Sequence, residues 1–286
     1  MISLMLILSA KPVVDAMRGP LQKRVVAFTA KHGRAPGLAV VLIGDDPASV
    51  IYTSKKADEA RSLGMESRVV HLDSGTPPAV AEAKITELNR DPRIDGVLLQ
   101  RPLPRGYSEE SAMMWIAPEK DVDALHPESV GKTSLGVASF RPCTPAGILA
   151  LLDYYAISLG GKLACVVGRS AIVGKPMASL LLQRDATVIH CHSKTPDLKA
   201  MTRQADILIV AAGNPGLISE EHIKSGAVVV DVGVHRSADG KLVGDVDFRS
   251  ASNRASAISP VPGGVGPMTI ALLLQNTMSA AESRNR

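Results

Sequence analysis

LACVVGRSAIVGKPMASLLL, residues 163–182, is an apolar run that breaks into a glycine-bearing turn and then resumes at helical spacing. It reads as a strand, a phosphate-sized loop and a helix. Gly168 and Gly174 let the backbone turn tightly and come close to a ligand, and the amides that follow point at it from the first turn of a helix. That geometry suits a pyrophosphate. The spacing departs from Gly-x-Gly-x-x-Gly because Ser170 stands in place of the middle glycine. Taken alone, the stretch is equally open to reading as a plain strand-to-helix turn.

Its surroundings favour the dinucleotide. Thr187 to His192 (TVIHCH), Ala205 to Ala211 (ADILIVA) and Ala227 to Val232 (AVVVDV) read as further strands, with helical patterns between the first three of the four. Continuous apolar strands alternating with helices predict a parallel sheet covered on both faces. Ligands of such sheets bind beyond the carboxyl ends of the strands, where Gly168 lies. An NAD site ends its second strand on an acidic residue for the ribose hydroxyls, whereas here His192, Ser193 and Lys194 fill that place. Arg169, with Ser193 and Lys194 opposite, offers donors and positive charge to a 2′-phosphate, so the cofactor reading is NADP. The competing reading makes Arg169 and Lys194 merely solvated cations.

The whole chain has 286 residues, which predicts two domains. Its 45% hydrophobic and 21% charged residues are those of a soluble globular protein. With one Trp, four Tyr, three Phe, a net charge of +4 and no basic block, nucleic acid is not an expected partner. Cys143, Cys165 and Cys191 are widely spaced and odd in number, as in a reduced, cytoplasmic chain. His190 and His192 cannot share a strand face with Cys191, so no metal site is expected. The apolar opening, Met1 to Leu8, lacks a basic start and is too short to span a bilayer. It is read as a structured amino terminus, with no membrane partner and with secretion as the alternative.

In the first half, Pro12 to Lys31 has helical spacing and Leu38 to Ile43 reads as a strand. A helix over Ser49 to Gly64 follows Pro47 and ends on glycine. Within it Ser49, Tyr52 and Lys56 stand at i, i+3 and i+7, one polar stripe on one face. Strands near Ser67 to Leu72 and over Gly96 to Leu99 flank a helix from Pro78 to Asn89, and the second strand runs into Gln100 at its carboxyl end. A helical stretch, Glu109 to Ala117, then returns the loop PEKDVD, which carries Asp123, toward the same edge. Each residue alone has a plainer reading: Lys56 as a solvated face residue, Tyr52 as packing, Gln100 and Asp123 as partners of loop backbone. Together on one rim they make a reaction site. Late in the chain, SPVPGGVGPMT (residues 259–269) is a tight donor-rich loop entering a helix from Met268 to Ser283. It either approaches a flat ligand or simply places that helix. Thr144 and Pro145 open another helix, and these two helices are the expected bridges between domains.

The run Tyr52-x-x-x-Lys56 and the segments LLQRPLP (98–104), PEKDVDALHP (118–127), RPCTP (141–145), VVGRSAIVGKPM (166–177) and SPVPGGVGPMT closely resemble the methylenetetrahydrofolate dehydrogenase/cyclohydrolase family, the FolD proteins. The resemblance runs through nearly the whole chain in the family's order. It implies two α/β domains, the second a Rossmann-like dinucleotide-binding domain, joined by long helices with a cleft between them. The expected division is residues 1–143 with the helix 268–286 for the folate half, and 144–267 for the NADP half. It also implies two activities, NADP-dependent oxidation of 5,10-methylenetetrahydrofolate to the methenyl cation and hydrolysis to 10-formyltetrahydrofolate, in a homodimer. By the same resemblance Lys56 is the catalytic lysine, Tyr52 packs on the folate, Gln100 hydrogen-bonds the lysine and Asp123 grips the pterin. Ser49, Leu99, Pro260, Pro262, Gly263 and Gly264 fall in segments that bind substrate. Gly168, Arg169, Ser170 and Ser193 match cofactor contacts, and Val234 matches an aliphatic residue near the nicotinamide.

The chemistry agrees with those roles. Hydride loss from a carbon flanked by two nitrogens needs orientation and no strong base. Hydration needs a group that takes a proton from water and returns one to a ring nitrogen, which a lysine does when burial lowers its pKa. The sequence departs from the commoner family pattern at Val50, Arg101 and Ala124, and Arg101 is expected on the site's rim. Two alternatives remain at this point: another NADP-linked dehydrogenase of the shikimate or amino-acid kind, and a non-catalytic folate- or nucleotide-binding module.

Overall fold

The computed structural model describes residues 5–138 and 140–285. Residues 1–4, half of the apolar opening read as a structured amino terminus, lie outside them. Along the chain run strands β1 (Leu6–Ile7), β2 (Gly37–Ile43), β3 (Glu66–Leu72), β4 (Gly96–Leu99), β5 (Leu163–Val167), β6 (Thr187–Cys191), β7 (Ile207–Val210), β8 (Val228–Asp231), β9 (His235–Arg236), β10 (Leu242–Val243) and β11 (Ala257–Ile258). The helices are α1 (Ala10–His32), α2 (Pro47–Ser62), α3 (Pro78–Arg90), α4 (Glu109–Met113), α5 (Pro127–Ser134), α6 (Cys143–Tyr154), α7 (Gly174–Leu182), α8 (Leu198–Thr202), α9 (Phe248–Ala251) and α10 (Val265–Arg284). No helix among the described residues is long and apolar enough to cross a membrane.

The chain divides into two compact units, and the division falls inside α1, α6 and α10. One unit takes Ala16–Cys143 with the chain from Ile270 onward; the other takes the described residues up to Asp15 with Thr144–Thr269. By compactness the described residues up to Asp15 go with Thr144–Thr269, whereas the expected division grouped residues 1–15 with the folate half. The reason is strand pairing. β1 lies parallel to β11, with Leu6 N–H bonded to Ser256 O at 2.8 Å and Leu8 N–H to Ile258 O at 2.9 Å, and Leu8 is fully buried. Those bonds satisfy an edge that would otherwise be open.

The unit beginning at Ala16 carries a parallel three-stranded sheet in the order β3-β2-β4. Every residue of β2 is buried, as its unbroken apolar run predicts for a central strand, whereas the edge strand β3 is largely exposed. Ala39, Val41 and Leu99 pack with Ile85 and Leu88 of α3 in one core. α2 starts where Pro47 follows Asp46, whose carboxylate accepts the Ser49 N–H at 2.8 Å. The helix expected over Glu109 to Ala117 stops at Met113. Asn89 accounts for the difference: its side chain donates to Trp115 O at 2.7 Å and accepts from Ala117 N–H at 3.1 Å, bonds that take the place of helical ones.

The other unit carries a six-stranded sheet in the order β1-β11-β8-β7-β5-β6, all its pairings parallel. Its core joins Cys165, Val167, Leu208, Val210, Val229 and Ile258.

Candidate active site

In the first unit, β2 and β4 are parallel neighbours, so the chain leaving each emerges on the same edge of the sheet. α2 follows β2 and carries Lys56; Gln100 follows Leu99, and its N–H bonds Val41 O at 2.8 Å. The topology thus brings two residues 44 positions apart together, and Lys56 Nζ donates to Gln100 Oε1 at 2.8 Å. Gln100 Nε2 donates to Arg101 O at 2.6 Å, which fixes the amide with its oxygen toward the lysine. Ser49 is buried, with its hydroxyl 3.4 Å from the same Arg101 carbonyl. Tyr52 is half-buried, and the Lys55 ammonium lies 6.0 Å from its ring centroid.

Lys56 is half-buried as a residue, and burial pushes its ammonium pKa down, opposed by the charge of Asp123. The Asp121–Asp123 loop reaches this edge because Asp121 bridges Val97 of β4 in parallel. Two residues in this cluster were not read from the sequence as site members. The Cys143 thiol donates to Val122 O at 3.2 Å; burial, the Asp123 charge and a hydrogen bond to Asp123 push its pKa well up, so it is a thiol and not a thiolate. Asn276 of α10 is buried and donates to Val122 O at 2.8 Å and Arg141 O at 2.9 Å, pinning the loop from behind. RPCTP signalled the cysteine; nothing local signalled Asn276.

Arg101 stands beside these residues, its carbonyl taken by Gln100 and Ser49. Its side chain is only 15% exposed and pairs with Glu109 at the start of α4, and burial lowers its pKa against the charges of Asp123 and Asp121. The neighbouring departure, Ala124, is buried with φ +57°, the left-handed region in which glycine is the easier residue.

In the other unit the turn after β5 is built from backbone. Gly168 has φ +122°, and a Cβ there would stand 2.0 Å from Ala211 O; a Cβ on Gly174 would stand 2.0 Å from Gly168 O. Only glycine fits either place. Ser170, which replaces the middle glycine, accepts the Val173 N–H at 3.1 Å and closes the turn ahead of α7. From β6, His190 Nε2 donates to Gly168 O at 2.7 Å. Arg169, Ser193 and Lys194 are exposed around this turn, and neither cation pairs with a carboxylate among the described residues. A glycine cradle ahead of a helix, two uncommitted cations and no acid at the end of β6 fit NADP. Val234 is 43% exposed beyond β8. Pro260, Pro262, Gly263 and Gly264 form the turn after β11 in this same unit, where Gly263 O accepts the Ala10 N–H at 2.8 Å. The expected site residues therefore fall in two groups: Ser49, Tyr52, Lys56, Leu99, Gln100 and Asp123 in one unit, the rest in the other.

Comparison with known proteins decides between the readings. Residues 8–123 match the tetrahydrofolate dehydrogenase/cyclohydrolase catalytic domain, and residues 142–285 match the NAD(P)-binding domain of the same family. The chain belongs to the tetrahydrofolate dehydrogenase/cyclohydrolase family. The bifunctional protein FolD of Lysinibacillus sphaericus is 49% identical, over 97% of this chain and 98% of that protein. The crystal structure of the bifunctional enzyme FolD from Campylobacter jejuni superposes with a TM-score of 0.94 at 45% identity, covering 98% of this chain and 99% of that one. FolD from Trypanosoma brucei, solved with NADP cofactor and inhibitor, gives 0.94 at 35% identity, covering 99% of both chains. Shikimate dehydrogenase from Thermus thermophilus shares the fold alone, at 20% identity and a TM-score of 0.54 over 86% of this chain and 99% of that one. The protein is a bifunctional enzyme of the family, a methylenetetrahydrofolate dehydrogenase and methenyltetrahydrofolate cyclohydrolase with an NAD(P)-binding domain.

Proposed function

We propose that Lys56 is the proton-handling group of the hydrolytic step, with Gln100 orienting it, Asp123 holding the pterin and Tyr52 fixing its plane. The 2.8 Å bond from Lys56 Nζ to Gln100 Oε1, made by an ammonium whose pKa burial lowers, carries this reading. A lysine of ordinary pKa is protonated at neutral pH and cannot take a proton from water. A lowered one has a neutral fraction to accept it, and the resulting ammonium can protonate the ring nitrogen as the carbon–nitrogen bond opens. The delocalised methenyl cation, when bound, presses the same pKa further down. Ser49 and Leu99 line the folate side.

NADP supplies the hydride acceptor. The Gly168–Gly174 turn receives its pyrophosphate, Arg169 and Ser193 its 2′-phosphate, and Val234 lies by the nicotinamide, while Ser170 holds the turn in shape. The enzyme works as a homodimer in the cytoplasm. Following NADPH and the methenyl intermediate at two wavelengths, after mixing with methylenetetrahydrofolate and NADP, tests the reading. NADPH should rise with a transient of methenyl product that decays to 10-formyltetrahydrofolate. NADPH formation with a methenyl signal that never decays would refute the hydrolytic role of this site.

A further inference from the structure

The carboxyl edge of the six-stranded sheet contains a buried pair of carboxylates that the dehydrogenase chemistry does not use. Asp245 is fully buried and accepts four hydrogen bonds: from Ala212 N–H at 2.7 Å, Gly213 N–H at 2.9 Å, Asn214 N–H at 2.9 Å and His235 Nε2 at 2.7 Å. Four donors fill the acceptor capacity of a carboxylate. Asp231, at the end of β8, accepts from Gly233 N–H at 2.9 Å, Asp245 N–H at 3.0 Å and Val246 N–H at 2.9 Å. Its own N–H is held by Ser259 Oγ at 2.8 Å.

These bonds are placed around the cofactor edge. The turn at residues 212–214 that Asp245 holds begins next to Ala211, whose carbonyl stands where a Cβ of Gly168 would be. Val234 is bracketed: Gly233 before it is held by Asp231, and His235 after it is held by Asp245. A side chain 43% exposed is thus presented from a segment fixed on both flanks. The sheet does not need this, because β7 and β8 already pair along their length.

We propose that Asp245 and His235 are positioning residues for the dehydrogenase step: the imidazole-to-carboxylate bond ties the turn after β7 to the segment after β8 and so sets where Val234 meets the nicotinamide. This rests on the reading of that edge as the NADP site. His235 is partly exposed and Asp245 is not, so His235→Ala is the variant that keeps the fold.

The test uses the family's two activities against each other, since hydrolysis of methenyltetrahydrofolate consumes no NADP. In His235→Ala, kcat/KM for NADP should fall about ten-fold, the effect of losing one hydrogen bond to a charged group, while cyclohydrolase turnover stays within about two-fold of wild type. His235→Gln, which keeps a donor near the Nε2 position, should restore most of the loss. Asp245→Asn should be worse than His235→Ala in the same assay. An unchanged kcat/KM for NADP in His235→Ala would overturn the proposal, as would an equal fall in both activities, which marks a general structural role. Failure of wild type to bind NADP would instead refute the cofactor reading on which it rests.

Discussion

At the end of β4 the site is made of side chains, Lys56 on Gln100 with Asp123 and Cys143 behind; at the end of β5 it is made of backbone, a turn whose two glycines have no room for a Cβ. The difference follows from what each holds. A proton-transfer site needs a group whose pKa is set by its surroundings, and only a side chain has one. A pyrophosphate needs amides and close approach, and any side chain at the contact would be in the way. The first kind of site should degrade by degrees when altered; the second should fail at a single methyl group.

Gly174→Ala breaks the comparison most sharply. Because the new Cβ would stand 2.0 Å from a backbone oxygen, NADP affinity measured by nucleotide fluorescence should fall at least about a hundred-fold. Retained cyclohydrolase turnover would show the loss confined to the cofactor site. NADP binding within about ten-fold of wild type would mean that the turn yields easily and is not the rigid cradle described.

A smaller effect concerns stability, and here the units have opposite signs. Lys120 is fully buried in the first unit, its ammonium donating to Leu88 O at 3.0 Å and Asp91 O at 2.7 Å beyond the last turn of α3. Burial, then the Arg284 charge, lowers its pKa from 10.5 to about 8. Between those values the unfolded chain binds the proton that the folded chain has lost, so this group adds stability as pH rises through the window. Asp231 in the other unit is raised by burial from 3.8 to about 6, so the folded chain holds the extra proton and the group's contribution falls as pH rises through that window. Urea midpoints of wild type against Lys120→Met and against Asp231→Asn should therefore diverge with opposite slopes. Two flat differences would show that neither group is buried as described.

Much of this was legible one segment at a time. Gly96–Leu99 could be read because an apolar run stops at Gln100, and α2 because Asp46 and Pro47 mark its start. The pairing of β1 with β11 was not legible, because a two-residue strand carries no periodicity. α4 was read too long because Asn89, some twenty residues earlier, takes over its bonds. Asn276 and the Asp231–Asp245 pair were invisible for a related reason: their partners are distant in sequence or are backbone groups, and neither leaves a pattern. Cys165 and Cys191, read as merely widely spaced, lie with sulfurs 3.8 Å apart on adjacent strands. The glycines, by contrast, announced themselves, although the roles of Lys56 and Asp123 came from family resemblance and not from spacing.

The proposed hydrolytic step turns on one amine. Cyclohydrolase turnover of Lys56→Met, measured beside its affinity for a non-reactive folate, tests it most directly. Turnover should fall by about a hundred-fold or more, the usual weight of a general acid–base group, while the folate still binds. Turnover equal to wild type would place the proton transfer elsewhere and contradict the account.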